Sequence, residues 1–84
     1  MDFTYHPQGV CSRQIDFRLE NGIIRDVSFL GGCNGNLKGI CSLVEGQPAE
    51  EVILRLEGIC CGPKTTSCPD QLAKALREAL AQEA

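Results

Sequence analysis

The sequence predicts an α+β fold: an antiparallel β-hairpin or small sheet followed by three helices. Residues 12–19 alternate, with Ile15, Phe17 and Leu19 on one face and Gln14, Asp16 and Arg18 on the other. A second run over 23–30 puts Ile23, Val27 and Phe29 on one face, after the turn residues Glu20-Asn21-Gly22. Beyond Gly31 the apolar spacing becomes helical.

The length, 84 residues, reads as one domain spanning 1–84. A chain this small buries only about 60% of its unfolded surface, so metals or crosslinks often assist such folds. Aromatic residues are few, and the core is expected from Leu, Ile, Val and Ala.

Two registers are open to the hairpin. A two-residue Asn21-Gly22 turn would set Ile15 against Ser28 and Phe17 against Asp26, mixing the faces. A three-residue loop with Gly22 left-handed pairs Leu19 with Ile23 and Ile15 with Val27, keeping one face apolar, and is the expected register. It also sets Arg13 opposite Phe29 and Arg25 opposite Phe17, placing two guanidinium groups near the rim of the covered face.

Gly31-Gly32-Cys33-Asn34-Gly35-Asn36 reads as a strand-to-helix turn with asparagines suited to capping. Leu37, Ile40, Cys41 and Val44 follow at helical spacing, and Gly46 ends that helix. Pro48, Glu50 and Glu51 open a second helix with the stripe Val52, Ile53, Leu56 and Ile59, its end bracketed by Gly58 and Gly62. Ser67 and Asp70 form a capping pair for the third helix, Pro69 suits its first turn, and Leu72, Ala75, Leu76, Ala79 and Leu80 form its apolar stripe.

Six cysteines in so short a chain would suggest disulfides in a secreted protein. Residues 1–7 carry no basic segment followed by an apolar stretch, so a cytoplasmic location with reduced thiols is expected. No apolar run approaches the ~20 residues of a membrane span. A net charge of −3 with scattered basic residues argues against general nucleic-acid binding.

The chain path brings cysteines together. Cys11 opens the first strand opposite Gly31, and Cys33 follows two residues beyond. An up-down pair of helices returns Cys60 and Cys61 to that end, and Cys68 lies on the inward face of the third helix start. Cys41 is eight residues beyond Cys33, about 12 Å along a helix, and reads as core.

Four thiolates suit zinc or an iron–sulfur cluster. Alternatively, a helix start favours a reactive thiolate at Cys68, which could exchange with Cys61 or Cys33. A third reading uses the Gly31–Asn36 turn to bind an anion, nucleotide or cofactor, although the phosphate-loop ending is absent. His6, the single histidine, reads as a surface residue, which leaves no Ser-His-Asp set.

Thr66-Ser67-Cys68-Pro69-Asp70, with Gly32-Cys33-Asn34-Gly35-Asn36-Leu37, Gly58-Ile59-Cys60-Cys61-Gly62 and Gln71-Leu72-Ala73, resembles the TSCPD domain from about Cys11 to the end. That domain occurs at the C-terminus of adenosylcobalamin-dependent ribonucleotide reductases and as small stand-alone proteins. The resemblance implies a link to deoxyribonucleotide synthesis. Because 84 residues cannot form the reductase's radical-bearing barrel, it implies an accessory role under a family name that speaks of reduction. The characteristic cysteine precedes Gly62, which favours Cys61 over Cys60. The element order is also similar to that of iron–sulfur cluster assembly scaffolds, whose three cysteine ligands correspond to Cys11, Cys33 and Cys68. Ser67 and Arg13 stand where that scaffold has a histidine and an acidic residue, so Cys61 would complete a permanent site.

The expected function is therefore a zinc or iron–sulfur module held by Cys11, Cys33, Cys61 and Cys68, partnered with ribonucleotide reductase or another redox protein. A thiol redox protein delivering electrons to a reductase is the alternative. A nucleotide or cofactor-binding domain with structural cysteines is another.

Overall fold

The computed structural model describes residues 2–32, 34–60 and 62–83, with the backbone alone at 34 and 83. Three strands, β1 (Asp2–Tyr5), β2 (Ser12–Glu20) and β3 (Ile23–Gly31), precede three helices, α1 (Asn34–Val44), α2 (Ala49–Leu56) and α3 (Cys68–Glu83). The strands form an antiparallel sheet in the order β1-β2-β3. This is the expected α+β arrangement.

β1 is an addition to the expected hairpin. It pairs Phe3 with Phe17 and Tyr5 with Ile15, and the Phe3 and Phe17 rings stack with centroids 5.6 Å apart. Two apolar positions are too few to reveal an alternating pattern, so the strand is fixed by what it packs on.

The register differs from the expected one. Asn21 and Gly22 both adopt positive φ, 54° and 79°, and make the two-residue turn that pairs Glu20 with Ile23 and Leu19 with Ile24. The pairing then slips by one residue: Arg18 faces Arg25, but Asp16 faces Ser28 and Ile15 faces Phe29. A bulge at Asp26, with φ of 53°, absorbs the slip and returns Val27 to the covered face. Its amide donates to Glu45 Oε1 at 2.9 Å and its carboxylate accepts from Arg18 Nη2 at 2.6 Å. The bulge thus resolves the mixing of faces that counted against the two-residue turn. Arg25 consequently opposes Arg18 rather than Phe17, Arg13 falls between ladder pairs rather than opposite Phe29, and both are exposed.

The connection from α1 to α2 clips onto the open edge of β3. Ile24 N–H donates to Gln47 O at 3.0 Å, Gly46 N–H to Ile24 O at 2.8 Å, and Ala49 N–H to Gly22 O at 2.8 Å. The helices then cover one sheet face. Ile15, Phe17, Leu19, Ile24 and Val27 meet Val44 of α1, Ala49, Val52 and Ile53 of α2, and Leu72, Ala75, Leu76 and Ala79 of α3. α1 carries an interior glycine, Gly39, which costs a helix about 1 kcal/mol, so it depends on packing through Leu37 and Val44. α2 stops at Leu56, so Ile59 falls beyond its stripe and is 43% exposed. Among the described residues no helix is long and apolar enough to cross a membrane.

The core makes a testable contrast. Leu76 is fully buried, and Leu76→Ala should cost about 2–5 kcal/mol in urea unfolding. Leu54 is 78% exposed, and Leu54→Ala should stay within roughly 0.5 kcal/mol of the parent.

Candidate functional site

α3 begins with a cap whose hydroxyl serves two elements. Asp70 N–H donates to Ser67 Oγ at 3.2 Å, and Gln71 N–H donates to Ser67 O at 2.8 Å. Ser67 Oγ itself donates to Ile59 O at 2.6 Å, so the cap also grips the strand of chain leading from α2. Pro69 sits in the first turn, where a missing N–H leaves no helical bond unmade.

Asp70 does not complete a reciprocal capping box. Its buried carboxylate turns away, accepting from Gly58 N–H at 2.8 Å and from the Thr66 hydroxyl at 2.5 Å. Thr66 Oγ1 in turn accepts from Gln71 Nε2 at 2.9 Å. Gln71 Oε1 accepts from Gln8 N–H at 3.2 Å and from the Tyr5 hydroxyl at 3.4 Å. Burial, with the negative charges of Glu78 and Asp70, pushes the Tyr5 hydroxyl up, which keeps it a donor. Thr66, Ser67, Asp70 and Gln71 are all buried, and no buried side-chain nitrogen or oxygen among the described residues lacks a partner.

This turn touches the segment that follows Cys11 and the one that precedes Cys60. Cys68 Sγ lies 3.2 Å from Ser12 Oγ, and Ser12, only 2% exposed, follows Cys11. Ser12 pairs with Gly31, and a Cβ on Gly32 would stand 3.3 Å from Ser12 N and 2.8 Å from Leu37 Cδ1. With φ of 83° as well, the position before Cys33 admits only glycine without rearrangement. Ser67 and Asp70 hold Ile59 and Gly58, which lead directly into Cys60. The Cys60 thiol is exposed and donates to Gly58 O at 3.5 Å.

Of the four expected ligands, Cys11 and Cys68 thus belong to touching segments, Cys11 exposed and Cys68 partly buried. Cys33 and Cys61 lie outside the described residues. Among the described residues no group of three or more His, Cys, Asp or Glu side chains is placed to hold a metal ion. Cys41 packs against the core, and burial, the largest influence on it, pushes its thiol up. His6 is exposed.

Sequence reasoning missed the contacts made by Ser12 and Gln71. Ser12 meets a thiol 56 positions away, and nothing local marks it. Gln71 could have been suspected, since it opens the apolar stripe of α3 beside Leu72 and a polar residue there must find partners.

The hydrogen bond from Thr66, then that from Gly58, hold the Asp70 carboxyl below its usual value, with Lys74 adding a weaker attraction; burial opposes them. A carboxyl depressed in the folded state contributes stability that is full above the ordinary carboxylate value, ~4, and is lost as pH falls through the folded value. Asp70→Asn should therefore cost about 1.5–3 kcal/mol at neutral pH. In urea unfolding across an acid titration, its stability should converge with that of the parent as the parent's carboxylate is protonated.

A family model described as the TSCPD domain matches residues 3–80. No curated protein and no solved structure matches the chain at a significant level. The match covers nearly the whole sequence, and the motif from Thr66 to Asp70 forms the turn that Ser12 and Ile59 contact: the chain belongs to the TSCPD domain family.

Proposed function

We propose that the chain is a metal-binding module in which Cys11, Cys33, Cys61 and Cys68 hold zinc, or an iron–sulfur cluster in the same thiolate shell. Its role is accessory to ribonucleotide reduction, a reading supported by the family's association with reductases. The observation that carries it is the meeting at the first turn of α3. Cys68 touches the residue after Cys11, that residue lies against the glycine before Cys33, and Ser67 grips the backbone that leads into Cys60 and Cys61.

The chemistry of the donor set fits. Four thiolates enclose a borderline-soft divalent ion in a tetrahedral shell, and such a closed shell contributes directly to folding. The Ser12 hydroxyl beside Cys68 can donate to a ligated thiolate, the outer contact that orients a ligand and tunes its basicity. The bound ion would link loops that the apolar core does not reach.

The thiols of Cys11 and Cys60 are exposed and so open to exchange, which supports the redox alternative. Metal analysis with an absorption spectrum, on protein purified without chelator, separates the two. The module predicts about one zinc per chain, or the visible absorption of an iron–sulfur cluster. Cys68→Ser and Cys33→Ser should lose metal and fold together, while Cys41→Ala keeps the metal. A metal-free folded protein whose thiols cycle against thioredoxin would overturn the module in favour of thiol redox.

A further inference from the structure

The polar side chains of the α3 start form one continuous hydrogen-bonded chain between two separate arms of the protein. It runs from Gly58 N–H to the Asp70 carboxylate, from the Thr66 hydroxyl to the same carboxylate, from Gln71 Nε2 to Thr66, and from Gln8 N–H to Gln71 Oε1. At one end the chain of residues continues through Ile59 to Cys60 and Cys61. At the other it continues from Gln8 through Gly9 to Cys11, and Gly9 itself comes against Thr66, where an added Cβ would lie 3.4 Å from its methyl.

The direction of each bond is dictated by its neighbours. A backbone N–H at Gln8 can only donate, which fixes the Gln71 oxygen toward it and turns the amide NH2 to Thr66. Thr66 must then spend its proton on Asp70, which as a carboxylate can only accept. No member can be reversed alone, so the two arms are held in one shared arrangement.

We propose that Asp70, Thr66 and Gln71 are positioning residues that set the arm bearing Cys11 and the arm bearing Cys60 and Cys61 around Cys68 as one cooperative unit. The inference rests on the metal-binding reading of that site. None of the three touches the metal; each acts through the backbone that carries the ligands. Loosening either arm loosens the other, because the shared side chains lose their orientation.

The test uses the full chain, zinc competition against a chromophoric chelator, and amide exchange of segments 8–12 and 58–62. Asp70→Asn should weaken zinc binding roughly 10- to 100-fold, the usual cost of removing an outer-shell partner. It should also speed exchange in segment 8–12, which Asp70 does not touch. Gln71→Met should weaken zinc binding likewise and speed exchange in 58–62, which Gln71 does not touch. Exchange over Leu72–Ala79 should stay at the parent rate in both. Should Asp70→Asn fail to fold, Thr66→Val carries the same expectation, and Thr66→Ser, which keeps the hydroxyl, should restore the parent affinity. Parent-like zinc affinity in both Asp70→Asn and Gln71→Met, or faster exchange confined to the arm each residue touches, overturns the positioning role and leaves the metal reading intact. Parent protein that takes up no zinc and no iron overturns the metal reading and this inference with it.

Discussion

The bond on which the site depends is the one from Gly58 N–H to the buried carboxylate of Asp70. Among the described residues the connection between α2 and α3 has no helix or strand and is exposed over 57–60 and 62–65, so apolar packing does little to place it. A polar anchor must do the work. Burying a carboxylate is costly unless its oxygens are satisfied, and here the Gly58 amide and the Thr66 hydroxyl satisfy it. Lys74, at 3.8 Å and more than half exposed, adds little by comparison. The anchor is thus made by short hydrogen bonds from the connection to the first turn of α3, and its strength falls with protonation.

The sheet supplies the platform for that turn. Fully buried Leu72 and Leu76 fix α3 on the core, with Ile15, Leu19 and Ile24 opposite on the strands. At the cysteine end the ladder between β2 and β3 is irregular again, because Arg13 is an extra residue between the pairs Ser12–Gly31 and Gln14–Leu30. Such a bulge re-aims the side chain beside it. Ser12 accordingly points inward to Cys68 while Arg13 is exposed. Close approach at Gly32 completes the junction, since any side chain there would collide with Leu37.

Much of this was legible in the residues, and the failures have physical causes. Long periodic segments revealed α1, α2 and α3, and the alternation of Ile15, Phe17 and Leu19 correctly marked the covered face of β2. The hairpin register misled because an apolar-face argument was set against the strongest local turn signal, Asn21-Gly22. The local signal won, and an aspartate able to adopt positive φ repaired the faces. β1 was invisible because four residues hold too little pattern. In the site, Cys68 at the start of α3 and its Ser67 cap were readable from spacing. The contacts from Ser12 to Cys68 and from Gln71 to Gln8 join residues more than fifty positions apart, which no local pattern encodes.

The central claim, that the start of α3 draws cysteines from separate segments into one metal shell, is tested most directly by X-ray absorption at the zinc edge on the purified protein. A closed thiolate site gives a single shell of four sulfur atoms at about 2.3 Å. A first shell of oxygen or nitrogen at about 2.0–2.2 Å, as exposed carboxylates or His6 would give, would contradict it.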